Sequence, residues 1–182
     1  MLEANVRYDG SSRLAPSHRW KAFPSVSAAW RINEEKWFNI NWVSNLKFRL
    51  SWGQLGNGAV LGLYDYIPLI SYSQKDTPAS YLGEKWLYQN SMASEEKTWE
   101  TVETTNIGLD FGFLNNRLTG SFEYYWKFNN DMLSALQLPH QIGINVPNMN
   151  VGKLKTWGWD FNINWRDQIK DFSYQIGFNI SD

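Results

Sequence analysis

The chain has 182 residues, 43% of them hydrophobic and 16% aromatic, with a formal charge of −1 and a pI near 6.1. Zero cysteine excludes disulfide scaffolds, thiolate nucleophiles and cysteine-rich zinc sites, and no basic stripe for nucleic acid is present. No run approaches the roughly 20 apolar residues a membrane helix needs, which excludes a helical membrane protein but not a β-barrel, whose alternating strands average to a polar score.

Period-two alternation predicts seven strands in chain order. In the first, Leu2, Ala4, Val6 and Tyr8 alternate with Glu3, Asn5, Arg7 and Asp9. In the second, Val26, Ala28, Trp30 and Ile32 alternate with Ser25, Ser27, Ala29 and Arg31; in the third, Leu46, Phe48, Leu50 and Trp52 alternate with Lys47, Arg49 and Ser51. The fourth sets Ile107, Leu109, Phe111 and Phe113 against Asn106, Gly108, Asp110 and Gly112. The fifth sets Leu118, Phe122, Tyr124 and Trp126 against Thr119, Ser121, Glu123 and Lys127. The sixth and seventh, Trp157–Trp165 and Phe172–Ile180, carry aromatic or aliphatic residues at nearly every second position. Successive strand side chains point to opposite faces, so each segment is a ribbon with one apolar and one polar side.

In these strand cores every charge is expected in the polar register. A soluble sandwich and a membrane barrel both produce that pattern, but connection lengths separate them. Short turns are expected at Leu114–Arg117 and Arg166–Asp171, and long connections at 53–98 and 129–153. Long and short connections alternate, which gathers the long ones at one end. Compact soluble domains seldom carry structureless loops beyond about 12–15 residues, whereas outer-membrane barrels have short periplasmic turns and long external loops. On that orientation 10–22, 53–98 and 129–153 lie outside; 33–45, unusually long for its side, lies in the periplasm with the two short turns. Tyr8, Trp52, Trp126 and Trp157 form one expected aromatic belt, and Trp37, Trp42 and Trp165 the other. The expected fold is all-β: antiparallel up-and-down strands, about seven of them, forming part of a larger transmembrane β-barrel.

Four blocks carry a resemblance to a known family. They are Arg7–Pro16 (RYDGSSRLAP) with Trp20 and Phe23–Ile32 (FPSVSAAWRI); Asn45–Asn57 (NLKFRLSWGQLGN); Trp99-Glu-Thr with Thr105–Tyr125; and Asn150-Val-Gly through Thr156–Asp160 to Asp171-Phe-Ser-Tyr. Together they resemble the barrel region of SusC/RagA-type TonB-dependent outer-membrane transporters, over nearly all the chain except the interiors of the two long loops. The resemblance implies a closed barrel of many more than seven strands, filled by an N-terminal plug. It also implies import of oligosaccharides or peptides powered by the inner-membrane TonB system, and a SusD-like lipoprotein lid. By that standard 1–182 is a partial TonB-dependent receptor β-barrel domain. The expected signal peptide, TonB box, plug and final barrel strands are absent from it, so both ends are expected to be cut. The expected location is the bacterial outer membrane, with the apolar face against lipid. Arg7, Arg31, Arg49, Asp110, Glu123 and Asp160 are the expected lining of the lumen.

Catalytic motifs find little support, and no enzyme activity, cofactor or metal is expected. His18 and His140 fall in different external connections. Glu95, Glu96, Glu100 and Glu103 cluster only in sequence, whereas a glycosidase needs two facing acids about 5–10 Å apart. No Gly-x-Ser-x-Gly elbow occurs, and Gly53–Gly58 lacks the Lys-Ser/Thr of a phosphate loop. One cluster suits recognition: Tyr64, Tyr66, Tyr72, Tyr81, Trp86 and Tyr88, interspersed with Asp65, Gln74, Asp76, Gln89 and Asn90. Aromatic faces beside amides and carboxylates fit sugar rings, fit a lid interface, or simply pack a long loop. Two rival functions stand beside oligosaccharide or peptide import: a siderophore or vitamin receptor of the same general type, and a secreted carbohydrate-binding β-sandwich.

Overall fold

The computed structural model describes residues 1–72, 87–89, 92–135 and 147–182. Seven long strands form one antiparallel sheet: β1 Leu2–Gly10, β2 Trp20–Arg31, β3 Val43–Asn57, β6 Glu100–Phe113, β7 Leu118–Ser134, β8 Met149–Ile169 and β9 Phe172–Ser181. Their order is β1-β2-β3-β6-β7-β8-β9, so each long strand lies beside its predecessor. Two short strands, β4 Ile70–Tyr72 and β5 Leu87–Gln89, pair only with each other inside the connection from β3 to β6. The sheet does not close on itself.

Register turns seven amphipathic ribbons into two continuous faces. One row across the sheet reads Trp30, Phe48, Leu109, Phe122, Phe161, Ile180. A second reads Trp52, Thr105, Trp126, Trp157, and a third Leu46, Phe111, Gly120, Ile163, Phe178. Because the side-chain period is two, a slip of one residue in any strand would push its apolar set to the other side; no strand slips across the middle of the sheet.

No second layer covers the apolar face among the described residues: Phe122 is 41% exposed and Phe178 59%. The buried apolar residues, Leu14, Ala15, Phe23, Leu61 and Trp99, all sit at the end that carries the long connections. A β-sandwich would bury one face of this sheet against a second. No such second sheet stands against this one among the described residues.

Several boundaries move. β3, β6 and β8 are longer than the alternation alone predicts, and Arg166–Ile169, expected in a turn, continues β8 as far as the Ile169–Phe172 pair. Lys170, at φ 54°, and Asp171 make that turn. The Leu114–Arg117 turn is as expected, with Leu114, Asn115 and Asn116 all at positive φ. Over these longer strands the apolar register does carry charge: Glu103, Lys153, Lys155 and Asp167 fall on it, each beyond the nearest tryptophan row. The 33–45 segment is not a loose loop. A 3-10 turn at Ile32–Glu34 opens it, and Asn33 Oδ1 accepts the Leu46 N–H at 3.1 Å. The Trp30 indole donates to Glu35 at 2.7 Å and packs on Trp37, while Trp42 packs on Phe113. Length on that side is taken up by aromatic packing at the strand ends.

Candidate functional site

The polar face is the chemically informative one. Arg7, Arg31, Arg49, Asp110, Glu123 and Asp160 all occupy its register. Three of them form one network: Arg49 donates from Nε and Nη2 to the two oxygens of Asp110, at 2.9 and 2.8 Å, and from Nη2 to Glu123 as well. Asn106 completes it by donating to Glu123 Oε2 at 3.3 Å. Arg49 and Glu123 lie on β3 and β7 with β6 between them, so the guanidinium must cross a strand. It does so at Gly108, where a Cβ would stand 3.1 Å from Arg49 Cζ. Asp160 stands opposite Glu123 on β8, outside the pair of carboxylates that the guanidinium bonds.

The other two arginines are held locally. Arg7 pairs with Asp9 at 2.7 Å and lies over the Phe23 ring, and Arg31 pairs with Glu34 at 2.8 Å. Serines and glycine at 25, 27, 51 and 53 leave a concavity of about 520 Å³ beside Arg7 and Phe23.

At the end with the long connections, a collar ties loops to strands. Phe23 and Trp99 meet edge to face at 5.8 Å, with Leu14 and Leu61 buried around them. Gly56 carries no Cβ because the Phe23 ring lies in that space. Arg13 donates to the Leu61 carbonyl at 2.9 Å, and the Trp99 indole donates to the Arg19 carbonyl at 3.2 Å. Glu100, 4% exposed, accepts from Asn57 Nδ2 at 2.8 Å and from the Leu133 N–H at 2.7 Å. Asn150 exchanges hydrogen bonds with the Thr98 backbone. The alternation rules do not find this collar. Leu14, Leu61 and Trp99 lie in irregular segments far apart in sequence, where no period marks a residue for burial.

Among the described residues, Tyr64, Tyr66, Tyr72 and Tyr88 do not share one face. Tyr64, at φ 61°, lines a recess of about 350 Å³ with Asp65, Lys97 and Asn148. Lys97, 5% exposed, is paired with Asp65 at 2.5 Å. Tyr66 is half-buried outside that recess. Tyr72 pairs with Leu87, and Tyr88 with Ser71, so the two rings leave opposite faces of the β4–β5 ribbon. Tyr81, Trp86 and His140 lie outside the described residues, as do Gln74, Asp76 and Asn90. His18 meets Ser17 Oγ at 3.0 Å. Glu103 accepts from the Trp52 indole at 2.8 Å and from Gln54. With Glu100 in the collar, both acids serve structure.

Residues 1–182 match the family described as TonB dependent receptor-like, beta-barrel. The TonB-dependent receptor SusC of Bacteroides thetaiotaomicron is 36% identical over 97% of this chain, and the TonB-dependent receptor P26 of Formosa agariphila 32% over 87%. The RagAB peptide importer in its open-open state superposes with a TM-score of 0.84 at 28% identity, covering 99% of this chain. The chain spans 18%, 16% and 19% of those three, less than a fifth of each. A family match over residues 1–182, together with the identity to SusC and the superposition on RagAB, makes this chain a member of the TonB-dependent receptor β-barrel family, of the SusC/RagA type.

Proposed function

We propose that the protein carrying this chain is a TonB-dependent outer-membrane importer that takes up oligosaccharide. In it these strands form barrel wall, their polar face lines the lumen, and the long connections lie outside. The observation that carries this is the pair of faces. An uncovered apolar side crossed by aromatic rows suits hydrocarbon, and an opposite side with Arg7, Arg31, Arg49, Asp110, Glu123 and Asp160 suits water.

On β8 the apolar register from Trp157 to Trp165 is free of charge, with Lys155 and Asp167 as the first charges beyond it. Eight steps at about 3.4 Å, tilted about 40°, span roughly 21 Å, close to the ~25 Å apolar band of such barrels.

Oligosaccharide is favoured over peptide by exposed rings at the outer end. Tyr64 offers a flat apolar face beside Asp65 and Asn148, the combination a sugar ring needs. Tyr72 and Tyr88 suit contact with a SusD-like lipoprotein lid, since interfaces enrich tyrosine. The energy source is the TonB system, reached through a plug that is not among these strands. Peptide import is the second reading, supported by the superposition on the RagAB peptide importer.

Deletion of the full-length gene and complementation test both. Cells regaining uptake of a labelled oligosaccharide, with Tyr64→Ala lowering it, is the expected result. Regained uptake of labelled oligopeptide alone favours the second reading, and regained uptake of an iron chelate alone overturns both.

A further inference from the structure

Charge on the apolar face is distributed unevenly at its outer rim. Beyond the Trp52, Trp126, Trp157 row, the apolar register continues through Gln54 on β3, Glu103 on β6, Phe128 on β7, and Lys155 and Lys153 on β8, while Gly56 faces the Phe23 ring and Thr101 is buried against the Lys21 ammonium. The cations that belong to this register are therefore confined to one strand. The acid on the Lys155 row, Glu103, is two strands away and already accepts hydrogen bonds from Trp52 and Gln54. No ion pair to Lys153 or Lys155 occurs among the described residues. The Lys155 ammonium is nonetheless positioned: it lies 5.4 Å from the Phe128 ring centre and 5.5 Å from that of Trp157. Two aromatic faces hold the charge and leave N–H donors pointing away from them.

We infer that Lys155 and Lys153 form a binding site for the phosphate of an anionic lipid in the outer leaflet, its acyl chains lying along Trp157 and the rows beneath. The inference rests on the membrane orientation proposed above. Height supports it. Two residues beyond Trp157 is about 7 Å along the strand, or about 5 Å along the membrane normal at a tilt near 40°. The polar layer on each side of the hydrocarbon is roughly 5–7 Å thick, so an ammonium there meets headgroup phosphates and not acyl chains. The inner rim is different in kind: Asp167, the first charge beyond Trp165, is matched by Arg117 at 3.5 Å. On the apolar register of the paired strands, Lys153 and Lys155 are the cations without an ion pair among the described residues, and they stand next to an open apolar surface, which is the combination a phosphorylated lipid fits.

The test uses the full-length protein in neutral detergent and measures binding of bis-phosphorylated lipid A by native mass spectrometry, with the same acylated disaccharide lacking phosphate as control. The double variant Lys153→Gln/Lys155→Gln is expected to weaken the phosphorylated lipid by more than ten-fold, at about five-fold for each lysine near a charged surface. The control lipid is expected to bind both proteins equally, Lys155→Arg to restore binding, and millimolar inorganic phosphate not to compete. Undiminished binding by the double variant, an equal loss for the control lipid, or displacement by free phosphate would each overturn the site. Ser12→Cys labelled in intact cells by a membrane-impermeant maleimide checks the orientation separately. Labelling without phosphate-dependent binding removes the lipid site alone.

Discussion

Arg49 shows how one side chain organises three strands. Its reach to Glu123 depends on the missing side chain at Gly108, since the guanidinium lies where a Cβ would crowd it. Hydrogen bonds to charged partners contribute about 1.5–3 kcal/mol each. Gly108→Val is expected to destabilise the full-length barrel by about 1–2 kcal/mol, because the lost bond outweighs the gain in β-propensity. The same substitution should have far less effect in a Glu123→Gln background, where that bond is already weakened. A double-mutant cycle read by unfolding in detergent decides this, and additive effects would mean that Gly108 matters for another reason.

Asp160 makes a sharper case, because the expected sign is opposite. It faces Glu123 across the β7–β8 pair, and like charges at directly opposed positions are destabilising by roughly 0.2–1 kcal/mol. Asp160→Asn should therefore raise the unfolding midpoint, an unusual outcome for removing a charge from a wet surface. A lowered midpoint would show that Asp160 serves a cation elsewhere in the barrel.

At the scale of the strand, β7 offers an internal control. Phe122 and Ser121 are adjacent in sequence but lie on opposite faces, in the rows of Phe161 and of Asn162. Arginine facing lipid near the midplane costs about 2–4 kcal/mol, and far less in a water-filled lumen. Phe122→Arg is expected to impair folding into lipid vesicles by that amount, and Ser121→Arg to fold almost normally. Equal penalties at the two positions would mean that neither face meets lipid.

Strand-level order was largely legible in the residues. Phe122, Phe161 and Phe178 alternate with polar neighbours, and alternation is a local property that needs no partner to be seen. The ends of the strands were less legible. Lys155, Glu103 and Asp167 break the alternation of polarity without ending the backbone pairing, because beyond the tryptophan rows a charge no longer costs energy on that face. The collar was not legible at all, since Leu14, Leu61 and Trp99 become neighbours only when the connections fold back over Phe23. The β4–β5 ribbon also escaped, being three residues a side and too short to show a period. For the candidate site, Arg49, Asp110 and Glu123 were found by register alone. Their mutual contacts depended on Gly108, whose significance is an absence of atoms.

The chain as a whole exposes 13299 Å² for a mass of 21.3 kDa. A folded soluble monomer of that mass exposes about 9,100 Å², so roughly 4,200 Å² here has no counterpart in an ordinary domain. Among the described residues, both faces of a single sheet and the outer edges of β1 and β9, which have no neighbouring strand, contribute to the excess. Open edges invite pairing with other chains, and an apolar surface this large is a recognised cause of association. The collar cannot offset this, because it lies at one end and its apolar cluster among the described residues is Leu14, Phe23, Leu61 and Trp99. Residues 1–182 expressed alone are therefore expected to aggregate in aqueous buffer. In detergent they should be β-rich yet migrate on gels without the heat-modifiable shift of a closed barrel. A soluble monomer in detergent-free size-exclusion chromatography would overturn that expectation, and with it the assignment of the Phe122 face to lipid.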